Sequence, residues 1–163
     1  APRRGMAASQ CWLLKSEPAE CSIDDALAAP NQTVPWTGVR NYQARNFMRD
    51  DMRVGDGVLF YHSSCPEAGV AGIACVASAA RVDPTQFDPD SPYYDPKSKP
   101  EAPRWQLVDV QALRKTRVLG LAEMREMPAL AGMRVLQRGN RLSITAVTPG
   151  EWRSIETLLE HES

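Results

Sequence analysis

Two arginines flank a glycine–asparagine pair in the segment RGNR, residues 138–141. Glycine and asparagine both tolerate positive φ angles, so Gly139 and Asn140 predict a tight turn ahead of the strand-like segment RLSITAV. A turn needs no arginine, and the guanidinium group suits bidentate binding of phosphate, carboxylate or a base edge. We therefore expect Asn140 to point towards a pocket, while Arg138 and Arg141 bind a phosphate or hold the pocket floor.

Other aromatic and polar residues gather where predicted elements end, which is where binding residues on a rigid scaffold are usually found. Singly, each has an ordinary explanation, because tryptophan fills cores and arginine pairs with acidic neighbours. Together they suit a pocket in which aromatic faces sandwich an unstacked base, polar groups contact its edge and arginines hold the flanking phosphates. These residues are Lys15, Ser16, Trp36, Arg40, Asn41, Tyr61, His62, Ser63 and Trp105.

The sequence offers little for catalysis or metal binding. Its two histidines and four cysteines have no metal-ligand spacing, and no GxSxG, P-loop or GxGxxG motif occurs. His62 and Cys65 lie three residues apart near a hairpin tip, but a nucleophile also needs an orienting group and an oxyanion site. Asp88, Asp90 and Asp95 lack the spacing of an EF-hand loop. These patterns favour a binding module without cofactor or metal over an enzyme.

Composition narrows the class of protein further. The chain has 163 residues, 43% of them hydrophobic, and a net charge of −1. A protein that coats nucleic acid by bulk electrostatics is strongly basic, so any recognition of nucleic acid here must be local. Four cysteines without a secretory signal indicate a reduced, cytoplasmic protein. No apolar run is long enough for a membrane span, and a monomer is favoured.

Short strands and helices are expected to position these residues. Strands are predicted at CWLLKSE, VLFYH, AGVAGIACVASAA, RWQLVDVQALRKTRV and RLSITAV, and helices at IDDALAA, NYQARNFMRDDM, LAEMREM and EWRSIETLLE. Ser22 caps the first helix, and Thr148 with Glu151 forms a capping box before the last. NQTVPWTGVR is predicted to be a loop, as is the proline-rich segment 83–103. Because strands and helices do not alternate strictly, we expect an α+β domain with a mixed or barrel-like sheet of five to six strands.

Several segments, taken in order, closely resemble the EVE domain family, and the resemblance runs from about Trp12 to Leu159. The segments are WLLKSEP, WTGVRNYQARNFMR, GDGVLFYHS, GVAGIACV, TQFDPDSPYYDPKS, PRWQLVDV, RGNRLSI and EW. EVE domains belong to the PUA-like superfamily, which implies a small mixed β-barrel flanked by helices. We therefore expect a disordered leader over 1–10, one EVE domain over 11–160 and a short tail over 161–163.

The resemblance also implies a ligand and a set of pocket residues. EVE domains are taken to recognise modified bases, with 5-methyl- or 5-hydroxymethylcytosine in DNA as leading candidates. The related YTH domains, which read methylated adenine in RNA, offer a comparison for individual residues. Lys15-Ser16 resembles the Lys-Ser pair that ends the first YTH strand. Trp36 resembles the tryptophan that forms the first aromatic wall of the YTH pocket, and Asn41 resembles an asparagine that closely follows it. The second wall is expected from Trp105, Tyr61 or the YYDP loop. The residue patterns and the resemblance together give a complete predicted set of Lys15, Ser16, Trp36, Val39, Arg40, Asn41, Tyr61, His62, Trp105, Arg138, Asn140 and Arg141.

The leading interpretation is a non-catalytic module that recognises a modified base in DNA or RNA. One alternative is an enzyme acting on nucleotides or nucleic acid, for which the only candidate catalytic groups are His62 and Cys65 or the Asp88–Asp95 loop. The other alternative is a sensor of a free modified nucleoside. The compact length and the lack of a basic tail suit a bacterial protein.

Overall fold

The computed structural model describes residues 10–137, 139 and 142–160. The predictions made for Arg138, Asn140 and Arg141 lie outside the described residues, as do the predicted tail 161–163 and all but the last residue of the predicted leader. Gly139 is described and has a φ of +80°. Glycine adopts this left-handed conformation readily, as the predicted turn requires.

Four α-helices lie within the described part of the chain, and side-chain caps mark the starts of the first, second and fourth. The Ser22 side chain accepts a hydrogen bond from the Asp25 N–H, and the Asp25 carboxylate accepts one from the Ser22 N–H. Thr148 and Glu151 make the same reciprocal pair before the last helix, which confirms the predicted capping box. The helices are α1 (Ile23–Ala28), α2 (Tyr42–Asn46, continued by a π-helical turn, Phe47–Asp51), α3 (Leu121–Arg125) and α4 (Pro149–Glu160).

Six strands form one mixed sheet in the order β2-β7-β4-β3-β1-β8, and β5 pairs with β6 separately. β1 runs parallel to β3, and the other neighbours are antiparallel. Within the described residues β2 and β8 remain edges, so the α+β fold and the mixed sheet are confirmed but the barrel is open rather than closed. The strands are β1 (Cys11–Ser16), β2 (Thr33–Pro35), β3 (Gly57–His62), β4 (Gly69–Val76), β5 (Arg81–Val82), β6 (Gln106–Leu107), β7 (Asp109–Gly120) and β8 (Ile144–Val147).

Each face of the sheet carries its own hydrophobic core. Side chains alternate along a strand, so Val58 and Phe60 of β3 pack into one cluster while Leu59 and Tyr61 pack into the other. The first cluster includes residues of α1 and α2, and the second includes residues of α3 and α4. This two-sided packing fixes the direction in which each strand-end residue points.

The segment predicted as a loop over NQTVPWTGVR contains the short edge strand β2. Thr33 pairs with Gln111 and Pro35 with Asp109, on the outer side of β7. Proline lacks an N–H and is tolerated in an edge strand, and three residues are too few to show an alternating pattern. The prediction was therefore wrong at Thr33–Pro35, and the strand delivers Trp36 directly into the first core cluster.

No disulfide joins parts of this domain, since all four cysteines carry free thiols. Burial, followed by the nearby charges of Asp56 and Glu156, raises the pKa of the Cys11 thiol to about 11. That thiol therefore stays protonated at neutral pH. None of the helices in the described ranges has both the length and the apolar character needed to cross a membrane.

Candidate functional site

A cavity of about 490 Å³ lies beside the end of β1, where segments distant in sequence meet. This volume is typical of pockets that hold small ligands. The walls come from the end of β1, the turn between β1 and α1, β2 and the segment between β2 and α2, the residues after β3, the loop between β5 and β6, and the residue before β8. The lining residues are Lys15, Ser16, Glu17, Glu20, Cys21, Val34, Pro35, Trp36, Thr37, Gly38, Val39, Ser63, Ser64, Tyr93 and Ser143.

Backbone hydrogen bonds join three of these walls. The Lys15 N–H donates to the carbonyl of Ser143 at 2.8 Å, and the Ser63 N–H donates to the carbonyl of Ser16 at 2.9 Å. The Ser16 hydroxyl donates to the carbonyl of Cys21 at 2.7 Å, which fixes the turn after β1. Ser143, a residue of the cavity wall, follows Arg141 by two positions in the sequence.

Trp36 supplies one aromatic wall. Its backbone N–H donates to the carbonyl of Val108 at 2.9 Å, continuing the alignment of β2 beside β7. Its ring meets the Phe60 ring edge-on, with centres 5.2 Å apart and planes at 85°. The residue is 7% exposed, and it also lines the cavity. Trp36 therefore belongs to the core and to the site at once.

Tyr93 supplies the second aromatic group in the lining, and it comes from the long loop between β5 and β6. Its ring lies so close to Gly38 that a Cβ there would be 2.7 Å from Cζ of Tyr93. Gly38 also has a φ of +85°, which favours glycine. The Tyr93 hydroxyl donates to the Glu20 carboxylate, 2.6 and 2.7 Å from its two oxygens. Tyr93 thus connects the long loop to two other walls of the cavity.

Arg40 holds Tyr93 in this position through the backbone carbonyl of Tyr93. Its Nε and Nη2 groups donate to the carbonyl of Tyr93 at 3.1 and 2.7 Å. The remaining N–H groups donate to the carbonyl of Val39, the Asp83 carboxylate and the Thr85 hydroxyl. All five guanidinium donors are therefore used inside the protein. The group also lies near two rings, 5.6 Å from the centre of Tyr93 and 5.4 Å from that of Trp105.

Asp83 is the buried acceptor at the base of this arrangement, with a side chain that has no exposed area. It accepts hydrogen bonds from the Gly38 N–H at 2.9 Å, from Arg40 at 3.1 Å, and from both the N–H and the hydroxyl of Thr85. Burial disfavours its charged form, but the hydrogen bonds outweigh that effect and hold the pKa of Asp83 below its usual value. The site therefore contains a carboxylate that is ionised at neutral pH.

Gln86 orders the rest of the loop that carries Tyr93. Its side-chain NH₂ group donates to the carbonyls of Asp83 and Trp105, at 2.6 and 2.8 Å. Its side-chain oxygen accepts from the Ser98 hydroxyl and from the N–H groups of Arg104 and Trp105. A buried amide with this many partners rigidifies the loop.

Nine of the twelve predicted site residues are described, and the cavity brings four of them together. Those four are Lys15, Ser16, Trp36 and Val39. The ammonium of Lys15 lies 5.9 Å from the centre of the Tyr61 ring. Tyr61 itself is 3% exposed and packs into the second core cluster, on the opposite face of the sheet from Trp36. Strand alternation therefore separates Tyr61 from the first aromatic wall.

Asn41 and His62 lie outside the cavity lining and make local contacts. The Asn41 side chain accepts from the Ala44 N–H at 3.0 Å and caps α2. His62 Nε2 accepts from the Ile23 N–H at 3.0 Å, at the start of α1. Burial is the main cause that lowers the pKa of His62, which favours the neutral ring that this bond requires. The basic nitrogen of the neutral His62 ring is therefore engaged in the bond to Ile23.

Trp105 also lies outside the lining, with its ring centre 5.4 Å from the Arg40 guanidinium. Its ring stacks on Tyr42, with centres 4.7 Å apart and planes at 23°. Its indole N–H donates to the Asp95 carboxylate at 2.7 Å. In this position Trp105 supports the loop and the Arg40 guanidinium rather than the cavity surface.

Sequence reasoning did not single out Glu20 or Gly38, and it named Tyr93 only through the YYDP loop. An acidic residue in a turn gives no signal of its own, because most such residues are simply solvated. The positive φ of Gly38 and its closeness to Tyr93 appear only in three dimensions. The sequence feature that could have identified Tyr93 is the pair of adjacent tyrosines in a proline-rich loop.

Comparisons with known proteins identify relatives of this chain. The model of the EVE domain family matches residues 10–158. Thymocyte nuclear protein 1 of Homo sapiens is 40% identical over 185 residues, covering 99% of this chain and 82% of that protein. A hypothetical protein from Leishmania major has a structure with a TM-score of 0.89 at 44% identity, covering 94% of this chain and 96% of that one. The human THYN1 protein, in a crystal structure with DNA containing 5-methylcytosine, has a TM-score of 0.88 at 41% identity, covering 93% and 98%.

Proposed function

Because this chain belongs to the EVE domain family, we propose that it is a non-catalytic module that binds nucleic acid and holds one modified base in the cavity between Trp36 and Tyr93. The leading candidate is 5-methylcytosine in DNA, since the similar human THYN1 protein forms a complex with DNA that contains this base. The observation that carries the proposal is the cavity itself, lined by two aromatic residues from different segments.

The chemistry of the lining supports a base as the ligand. A base out of its stack is held by aromatic faces and by hydrogen bonds to its edge. Val34, Pro35 and Val39 add apolar surface to the two aromatic walls, which suits a methyl group on the ring. Serine hydroxyls and the Glu20 carboxylate add polar groups for the edge. With a net charge of −1, the chain depends on such local contacts rather than on bulk attraction to phosphates.

A binding titration tests this proposal. Matched DNA and RNA oligonucleotides carry cytosine, 5-methylcytosine, 5-hydroxymethylcytosine, adenine or N6-methyladenine at one position, and fluorescence anisotropy is measured at two salt concentrations. We expect a preference of about tenfold or more for one modified base, retained at the higher salt, because stacking and edge contacts are screened far less than phosphate contacts. Uniform weak binding that disappears with salt contradicts the proposal.

Gly38→Ala provides a second test, aimed at the Tyr93 wall. Alanine at position 38 must adopt a positive φ. Its Cβ would lie 2.7 Å from Cζ of Tyr93, which is too close, so the Tyr93 ring must move. We expect the affinity for the preferred oligonucleotide to fall about tenfold, since a displaced wall loses its stacking contact. The measurement is the same titration, made on protein that circular dichroism shows to be folded.

Gly55→Ala is the matched control. Gly55 has a φ of +95°, yet nothing lies within 4 Å of the position that its Cβ would take. Both variants therefore carry the backbone strain of a positive φ, about 1–2 kcal/mol, but only one of them moves Tyr93. Equal affinities of the two variants would show that Tyr93 takes no part in binding.

A further inference from the structure

Glu20 occupies an unusual place for an acidic residue. Glu20 and Glu17, both of them exposed, line a cavity that is proposed to receive part of a polyanion. Negative charge close to phosphates is unfavourable unless it makes a compensating contact with the ligand. A carboxylate that is kept in such a cavity therefore points to a hydrogen-bond donor on the ligand.

The structure holds this carboxylate in a defined orientation. Glu20 lies in a tight turn, where its N–H donates to the carbonyl of Glu17 at 2.9 Å. The Tyr93 hydroxyl donates to both carboxylate oxygens, and Tyr93 is in turn held by Arg40 and packed against Gly38. Among the described residues no arginine, lysine or histidine forms a salt bridge with Glu20.

The hydroxyl of Tyr93 remains a donor over the physiological pH range. Burial is the main cause that raises its pKa to about 12, and the hydrogen bond to Glu20 and the charges of Glu20 and Glu17 act in the same direction. An ionised carboxylate is an acceptor only, with about four lone-pair positions on its two oxygens. The single hydroxyl proton of Tyr93 therefore leaves lone pairs of the Glu20 carboxylate free to accept hydrogen bonds from a ligand.

We infer that Glu20 is the specificity-determining acceptor of the cavity, receiving the exocyclic amino group of the base, and that the site therefore selects amino-pyrimidines of the cytosine class over keto-pyrimidines of the thymine class. This inference rests on the proposed function and names the edge chemistry of its ligand. Acidic side chains accept hydrogen bonds from the cytosine amino group, whereas a thymine places a carbonyl oxygen at the same position. A carboxylate facing that oxygen would be left unpaired and repelled.

The test compares two bases of the same shape. 5-Methylcytosine and thymine share the ring and the methyl group and differ at the Watson–Crick edge, so a preference between them reports edge chemistry rather than fit. Single-stranded oligonucleotides that carry either base at one position remove the contribution of base pairing. We expect the wild-type protein to bind the 5-methylcytosine strand about tenfold to a hundredfold more tightly, the discrimination typical of a well-placed edge contact.

Two variants assign that preference to Glu20 and its orienting hydroxyl. In Glu20→Gln the side-chain amide can rotate to donate to a carbonyl, so the preference is expected to fall to about threefold or less. Tyr93→Phe keeps the aromatic ring but removes the hydroxyl that orients Glu20. The preference for the 5-methylcytosine strand over the thymine strand should therefore fall by a larger factor than the affinity for the thymine strand does. Glu101→Gln removes one exposed charge outside the cavity lining and should keep the wild-type ratio.

The outcomes separate this inference from the proposed function. If the wild type binds both strands equally, but more tightly than a strand with an abasic site, a base enters the cavity and only the assignment of Glu20 is overturned. A wild-type ratio retained by Glu20→Gln overturns the assignment as well. Equal binding of all strands, including the abasic one, overturns both the inference and the proposed function.

Discussion

Trp36→Ala is expected to lower the affinity for an oligonucleotide with the preferred modified base by about ten- to a hundredfold, because stacking of one base on an aromatic ring contributes about 1–3 kcal/mol. The same change removes a buried ring that packs against Phe60, so it should also lower the free energy of unfolding by about 3–5 kcal/mol. The two effects are measured separately, by chemical denaturation and by titration corrected for the folded fraction.

Trp12→Ala is the control that distinguishes these effects. Trp12 belongs to the same hydrophobic cluster as Trp36, is 1% exposed, and packs against Phe47, but it does not line the cavity. We expect a comparable loss of stability with an unchanged affinity per folded molecule. If both variants bind as tightly as the wild type per folded molecule, Trp36 is a core residue alone and contributes no stacking contact.

The second large effect is expected from Asp83→Ala, which should lower the free energy of unfolding by about 3–5 kcal/mol. The substitution leaves Arg40, whose side chain is only 22% exposed, without its carboxylate, and it removes the acceptor of the Gly38 and Thr85 N–H groups. Because these contacts hold the loop that carries Tyr93, binding should weaken together with stability. Denaturant titrations of the wild type and the variant at pH 7 measure the difference.

This stabilisation should depend on pH in a defined direction. The pKa of Asp83 is lower in the folded protein than the value of about 3.9 expected for an unfolded chain. Its contribution is therefore fully present above about pH 4 and is lost as the pH falls through the folded-state pKa. The difference in stability between the wild type and Asp83→Ala should narrow over that acidic range. A difference that stays constant down to the lowest pH would show that the ionised carboxylate is not its source.

Asp109→Ala provides a comparison with an exposed ion pair. Asp109 pairs with Arg81 at 2.6 Å, but the two side chains are 24% and 51% exposed. Exposed pairs contribute about 0–1 kcal/mol, since water and salt screen them. We therefore expect a much smaller loss of stability than at Asp83, although both substitutions remove one carboxylate from an aspartate–arginine pair. Equal losses would mean that burial does not set the strength of the Asp83 pair.

Local rules were enough to predict much of the fold. The capping residues of α1 and α4 identify themselves by type and spacing, and the strands β1, β3, β4 and β8 follow from short apolar runs. The resemblance to EVE domains was specific enough to identify the family and the α+β class. Local rules failed at β2, because a three-residue edge strand is defined by its partner β7 rather than by its own pattern.

The candidate site was predictable only in part. Ser16 and Trp36 lie at element ends that the sequence identifies, and both line the cavity. Residue type did not predict what a strand-end or loop side chain contacts. Arg40 has the donors of a phosphate-binding residue, yet all of them bond within the protein. Trp105 has the surface of an aromatic wall, yet it stacks on Tyr42.

The sequence by itself determined the family, the order of most elements and one aromatic wall, because these depend on local patterning and on motifs within short segments. The tertiary structure alone decided which second aromatic residue shares the cavity with Trp36. Tyr61 is directed to the opposite face by strand alternation, while Tyr93 is brought in by the contacts of Arg40, Asp83 and Gly38. Those contacts join residues far apart in the chain, and no local pattern encodes them.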